Sequence, residues 1–292
     1  MKKWVFSLVL LLLLGYGFAE YKTDITGLVN AWRSPVVNID MAEAVFQTDG
    51  FAIEVTRAMI FQGDLLLVNK DHPVPEGLNA ESEAVSLVRN SELIDGFGVL
   101  DSTIRLSPRL ADKFSAMVKA AAEEGVSHFL ISSGYRNEAK QDELYRGMGA
   151  KHALPAGYSE HNLGLSLDVG SSLAEMSQAP EGKWLEDHSW RYGFILRYPK
   201  DKTEVTGIQF EPWHFRYVGL PHSAIMWENN LVLEQYLDFL KKRKSVSVTV
   251  DDERYEIFYF PVTANETIHV PVQGTYEISG NNIDGIIVTV RQ

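Results

Sequence analysis

The stretch Tyr158–Gly170 reads YSEHNLGLSLDVG and sets His161 seven residues ahead of Asp168. Imidazole nitrogen and carboxylate oxygen are both zinc ligands, and a catalytic zinc site takes three protein ligands and keeps one position open. Two ligands at this spacing converge if a turn and a strand lie between them, and Gly164 and Gly170 supply bends. The third ligand must come from elsewhere. Glu211-Pro212-Trp213-His214 offers a His three residues after a carboxylate. Because Glu211 precedes proline it is biased to an extended backbone, so this is not the helical HExxH zinc motif, which the chain lacks. In this reading His161, Asp168 and His214 bind Zn²⁺, and Glu211 stands beside the activated water as general base. Arg136 leaves a predicted strand at the glycine turn of Ser132-Ser133-Gly134-Tyr135-Arg136 and supplies a cation for the developing oxyanion. Each signal alone also has a bland reading. EPWH could pack a strand end, and Arg136 could be a surface ion pair of little energetic weight. The histidines at 72, 128, 152, 188, 222 and 269 have no partner at metal spacing and read as structural or surface residues.

Several elements must position these groups. Ser107-Pro108 combines an N-cap with a first-turn proline. Leu110, Phe114, Met117, Val118 and Ala121 then share one helical face, and Gly125 suits the helix end. His128–Ser132 reads as a strand, 137–148 as a helix, Leu163–Val169 as a strand, 204–217 as one or two strands and 223–241 as a helix. Phe61–Val68 reads as a strand entering the turn at 69–73. After Lys241-Lys242-Arg243-Lys244 the composition turns to Val, Ile, Tyr and Thr. The fold class predicted is therefore α+β: helices around a small antiparallel sheet that carries the zinc site, with a small β-rich appendix. The domains expected are an N-terminal segment (1–19), a stalk or linker (20–58), a catalytic domain (59–244) and the appendix (245–292). So short an appendix is marginal alone and is expected to pack on the main domain.

The chain has 292 residues, of which 45% are hydrophobic and 23% charged, enough for an ordinary core. The net charge of −12 argues against nucleic acid as a partner, since phosphate binding needs a basic face. With no cysteine, disulfides, thiolate zinc sites, cysteine nucleophiles and an acylated-cysteine lipid anchor are excluded. Lys2 and Lys3 precede an uncharged run from Trp4 to Ala19. This segment reads as a retained membrane anchor, in preference to an export signal cleaved near Gly17-Phe18-Ala19. Either reading places the remainder outside the membrane.

Three segments in this order, SSGYRNEAKQDELY, SEHNLGLSLDVG and EPWHFRYVG, resemble the zinc D-alanyl-D-alanine carboxypeptidases of the VanY type. These belong to a wider group of peptidoglycan peptidases that includes VanX dipeptidases and some L-alanyl-D-glutamate endopeptidases. The likeness runs from about Phe61 to Gln292 and includes LLLVNKDHPV and ELIDGFGVLDS. It implies that His161, Asp168 and His214 are zinc ligands, Glu211 the catalytic base and Arg136 the stabiliser of the tetrahedral intermediate. Gln141 and Ser159 correspond to substrate-contacting positions, and Ser133 and Trp213 beside them are taken as further contacts. Ser166 stands where many relatives have a small residue such as Ala. The substrate implied is a peptidoglycan stem peptide or lipid-linked precursor ending in D-Ala-D-Ala. Its trimming removes the vancomycin target, and the enzyme is expected to act as a monomer.

Three rivals are weighed against this. A serine D,D-carboxypeptidase needs Ser-x-x-Lys and Lys-Thr-Gly; neither occurs here, so β-lactam insensitivity is expected. A related zinc L,D-carboxypeptidase or endopeptidase shares the metal motifs and would differ in pocket shape. A non-catalytic wall-peptide binding or sensing module would be marked by loss of Glu211, which is present.

Overall fold

Ser107 caps the helix that its sequence predicts. In the computed structural model, which describes residues 50–78, 80–149 and 153–292, its side chain accepts from the Leu110 amide at 3.2 Å. The apolar face from Leu110 to Ala121 is buried. The N-terminal segment and the stalk as far as residue 49 lie outside the described residues.

Along the chain come β1 (Phe51–Val55), α1 (Ala80–Glu83), β2 (Val85–Ser86), β3 (Gly98–Val99), β4 (Arg105–Leu106), α2 (Pro108–Glu123), β5 (Phe129–Ser133), α3 (Glu138–Met148) and α4 (Glu160–Leu163). There follow β6 (Ser166–Ser171), α5 (Pro180–His188), β7 (Phe194–Leu196), α6 (Thr203–Thr206), β8 (His214–Tyr217), α7 (His222–Glu228) and α8 (Leu233–Arg243). The chain ends in β9 (Ser245–Val250), β10 (Glu253–Pro261), β11 (Glu266–Val270), β12 (Thr275–Gly280) and β13 (Gly285–Arg291).

The central sheet has the order β3-β5-β6-β8-β7, parallel at β3–β5 and antiparallel elsewhere. Successive strand residues point to opposite faces. Leu167 and Val169 of β6 and Phe215 and Tyr217 of β8 join the core under α2 with Phe114, Phe129 and Trp184. The alternate residues, Ser166 and Asp168 of β6 and His214 and Arg216 of β8, therefore share the other face. All four are buried. A second sheet, β12-β13-β10-β9, is antiparallel throughout. It packs against α8 and, through Ile286, Val288 and Val290, against Ile53, Val55, Ile268 and Val270.

Five local expectations change. Phe51–Val55 is not stalk: it pairs antiparallel with β11, Phe51 opposite Val270 and Val55 opposite Glu266. Phe61–Val68 is not a strand. A 3₁₀ turn ends at Phe61, and Leu65–Val68 is buried irregular backbone. Its polar groups find partners off any ladder, as the Arg216 guanidinium does in donating to the Asp64 and Leu66 carbonyls at 2.9 Å. Leu163 belongs to α4, and β6 begins at Ser166, because Gly164 takes a left-handed conformation (φ +77°) that ends the helix. Residues 204–217 hold one helical turn and one strand, with Glu211–Trp213 in a turn between them. The long helix over 223–241 is two helices, broken where Asn230 turns left-handed at φ +48°.

Candidate metal centre

Asp168 and His214 face each other directly across the β6–β8 ladder. Cross-strand partners of this kind have Cβ atoms about 4.5–5.5 Å apart, so register alone makes them neighbours. His161 arrives from α4, one tight turn before β6. Its Nε2 lies 3.3 Å from Asp168 Oδ1, and His214 Nδ1 lies 3.2 Å from the same oxygen. His161 Nδ1 meets the Gly134 carbonyl at 2.7 Å, which fixes the ring and leaves Nε2 for a ligand. Gly134 is required there, since a Cβ would sit 2.2 Å from the Arg105 carbonyl oxygen.

The three donor atoms lie within 4.8 Å of one another. His161 Nε2 and Asp168 Oδ1 are buried without a hydrogen-bond partner. Buried polar atoms are rarely left so, and two that converge with a third donor fit a cation. Two nitrogens and one oxygen in this arrangement are a catalytic zinc donor set with room for a fourth ligand. Arg136 Nη2 donates to Asp168 Oδ2 at 2.9 Å, so the other carboxylate oxygen, Oδ1, is the one turned to the metal.

Glu211 stands beside the cluster, its Oε2 3.5 Å from His214 Nδ1. The turn before β8 brings it there, with the His214 amide donating to the Glu211 carbonyl at 3.2 Å. Burial pushes the Glu211 carboxyl up to about 7, a value suited to taking and returning a proton near neutrality. A cleft of about 570 Å³ opens over these groups. Ser133, Arg136, Gln141, Ser159 and Trp213 all line it, so the structure gathers every site residue that the sequence singled out. Their present bonds are mostly to the protein. Gln141 accepts from Arg136 at 3.0 Å and donates to the Leu154 carbonyl at 2.6 Å. Ser159 caps α4, and Ser133 Oγ accepts from Arg136 Nε at 2.9 Å. Trp213 is 40% exposed.

Residues 103–220 match the family model described as VanY, D-alanyl-D-alanine carboxypeptidase. A D-alanyl-D-alanine carboxypeptidase of Enterococcus faecium is 55% identical over 99% of this chain and 96% of its own length. This chain belongs to the VanY family of D-alanyl-D-alanine carboxypeptidases. It is also similar to the bifunctional D-Ala-D-Ala dipeptidase and carboxypeptidase VanXYC of Enterococcus gallinarum, at 36% identity over 60% of this chain and 94% of that protein. Among solved structures, the vancomycin resistance D,D-dipeptidase VanXYg, in complex with a D-Ala-D-Ala phosphinate analog, superposes with a TM-score of 0.71 at 30% identity. That match covers 83% of this chain and 99% of VanXYg. The protein is a D,D-carboxypeptidase with a zinc-type donor set.

Sequence reading missed the groups beneath the ligands of this carboxypeptidase. Glu160, 1% exposed, receives Arg197 Nε at 2.8 Å and Arg216 Nη1 at 2.7 Å on one oxygen. Its other oxygen accepts from Ser166 at 3.0 Å and faces His214 Nε2 at 3.4 Å. Arg197 reaches on to Glu234 at 2.7 and 2.9 Å. Burial alone would raise the Glu160 carboxyl, but Arg216, Arg197 and the His214 ring hold it well below the usual range. The Glu160 carboxylate 3.4 Å behind His214 favours a proton on Nε2 and so turns Nδ1, beside Asp168 Oδ1, to the metal position. The ligand histidines differ for the same reason. Burial and the Arg136 charge push His161 down to about 4. Burial also acts on His214, but Asp168, Glu160 and Glu211 outweigh it and lift the ring to about 9. A metal therefore competes with a proton chiefly at His214. The one cue in sequence was Glu160 adjoining His161, and an isolated Glu ordinarily reads as surface.

Proposed function

We propose that this carboxypeptidase removes the terminal D-Ala from peptidoglycan stem pentapeptides and their lipid-linked precursors on the outer face of the membrane. It acts there as a monomer held by its N-terminal segment, and it thereby depletes the D-Ala-D-Ala terminus that vancomycin binds. The observation that carries the reading is the buried His161–Asp168–His214 triad opening with Glu211 into one cleft. The near full-length likeness to the E. faecium carboxypeptidase supports the substrate. The cleft of about 570 Å³ is lined by Asp101, Tyr135 and Trp213 as well as by the triad, which leaves room for peptide beyond the scissile bond. Among the described residues no helix is long and apolar enough to cross a membrane; the anchor is proposed from the segment before them.

His161, Asp168 and His214 would hold zinc, which when bound polarises a carbonyl and lowers the pKa of water toward about 7. Glu211 takes the proton of the attacking water and returns it to the leaving D-Ala amine. Arg136 uses three of its five N–H groups on Ser133, Gln141 and Asp168. Two remain for the oxyanion that forms at the scissile carbonyl. The test is release of free D-Ala from a stem pentapeptide, with chelator and with zinc restored. Release that stops with chelator, returns with zinc and resists penicillin supports the reading. Release from tetrapeptides alone would replace it with an L,D-specific enzyme. Detection of the full-length chain in the membrane fraction of the producing cell tests the anchor.

A further inference from the structure

Residues 64–74 form a strap with no sheet ladder of its own. Leu66 and Val68 pack against Leu163 and Leu165, at the end of the helix that carries His161. The backbone of the strap is held from the C-terminal sheet. The Leu65 amide donates to Ser279 Oγ at 2.8 Å and the Leu67 amide to the Asn281 carbonyl at 3.2 Å. Asn282 Nδ2 donates to both the Leu67 and Pro73 carbonyls, each at 2.8 Å. On its far side the strap reaches Gly157, between the cleft-lining residues Leu154 and Ser159. The Val74 amide donates to the Gly157 carbonyl at 2.7 Å. The Gly157 amide donates to Asn162 Oδ1 at 3.1 Å, and Asn162 Nδ2 to the Arg136 carbonyl at 2.7 Å. The Arg136 amide closes the path on the His161 carbonyl at 3.1 Å.

We propose that Asn282 is a positioning residue for the substrate cleft. It fixes the strap, and the strap fixes both the cleft wall at 153–159 and the helix bearing His161. The C-terminal sheet is then part of the catalytic unit and not a separate wall-binding module. Residue type and place agree. Asn282 is buried at 9% exposure and sits left-handed at φ +61°, a conformation that Asn tolerates better than most residues. Its amide supplies the two donors that two facing carbonyls need. Asn281 shapes the turn that presents it, its Oδ1 accepting from the amides of Ile283, Asp284 and Gly285 at 2.9, 3.0 and 3.1 Å.

The inference rests on the reading of this cleft as the peptide site. Its test uses the full chain in three variants. Asn282→Asp sets a carboxylate against two carbonyl oxygens. Asn282→Gly removes both donors without left-handed strain. Thr289→Val is the control, since it disturbs the same sheet at a bond to His222 (3.0 Å) remote from the strap. Steady-state D-Ala release, amide exchange at Val74 and Gly157, and thermal stability are measured on each. Asn282→Asp should raise KM on the order of tenfold and speed exchange at both amides, with Asn282→Gly a milder version. Thr289→Val should lower the melting temperature with KM and exchange at wild-type values. A folded Asn282 variant with wild-type KM and exchange overturns the proposal, as does a Thr289→Val KM rise equal to that of Asn282→Gly. If Asn282→Asp fails to fold, the glycine variant decides. If the wild type releases no D-Ala from any wall peptide, the functional reading falls, and exchange at Val74 and Gly157 still decides the role of the strap.

Discussion

The two sheets of this carboxypeptidase each bury both faces, and they bury different chemistry. In the C-terminal sheet Phe258, Ile286, Val288 and Val290 fill one face, and Val246, Val248 and Ile257 lie buried on the other. In the central sheet one face is equally apolar, while the other holds Asp168, His214 and Arg216 over Glu160 and Arg197. Burying charge costs several kcal/mol per ion unless partners are near ideal, so the second arrangement is no economical way to stabilise a sheet. It does keep three metal-binding donors dry and oriented, with His161 and Asp168 held deprotonated near neutral pH. The packed strands of the C-terminal sheet, where Glu256 is the one buried acid, supply stability, and the charged face of the central sheet gives some of it up for chemistry.

The sharpest way to break this contrast is at the base. Glu211→Gln should keep the metal ligands intact and cost about 10²–10⁴-fold in kcat, measured by D-Ala release alongside bound zinc per chain. Near-normal turnover would mean that another group moves the proton. The next effect lies beneath the ligands. Glu160→Gln leaves Arg197 and Arg216 buried without their anion and should destabilise the fold by about 3–5 kcal/mol in urea unfolding. It should also weaken zinc about 10–100-fold in chelator competition. Unchanged zinc affinity would show that His214 needs no partner at Nε2.

A third test lies between the two regions. His222 is enclosed between Tyr236 OH at 2.7 Å and Thr289 Oγ1 at 3.0 Å, and burial pushes it down to about 4. The unfolded ring titrates near about 6.5. Above that value neither state is protonated and nothing is lost. As pH falls from about 6.5 toward about 4, the unfolded chain takes up a proton that the folded one refuses. Stability should therefore fall by up to roughly 1.4 kcal/mol per pH unit across that window. His222→Gln should flatten this part of the curve, so the difference between variant and wild type isolates the ring; parallel curves would sink the assignment. The smallest effect belongs to the apolar sheet. Ile286→Val, at a fully buried position, should cost about 0.5–1.5 kcal/mol with kcat and KM unchanged. A change in kcat there would extend the functional role of this sheet from its β12–β13 turn to its packed strands.

Local signals carried much of this in the sequence. The Ser107 cap, the apolar stripe of α2 and the helix α3, whose first turn the Asn137 side chain caps by accepting from the Lys140 amide at 2.9 Å, follow from contacts within four residues. The candidate ligand and base residues stood out because their types fit one chemistry and their three motifs, in order, fit one family. At 51–55 and 65–68, where the reading went furthest astray, the deciding partner was distant. An apolar run at 65–68 looks like a strand until Arg216, Ser279 and Asn281 are seen to take its backbone polar groups.

The sequence by itself therefore determined the family, the main helix and the residue types that meet in the cleft: two histidines, an aspartate, a glutamate and an arginine. Only the tertiary structure decided that Asp168 and His214 are cross-strand partners, that His214 offers Nδ1, and that β1 pairs with β11. It also decided that charges at 160, 197, 216 and 234 share one buried network. The reason is physical. Caps and periodicity act over a turn or two of chain, whereas ladder register and buried charge pairs join residues tens to hundreds of positions apart. A Glu or Arg read alone defaults to the surface until its partner is in place.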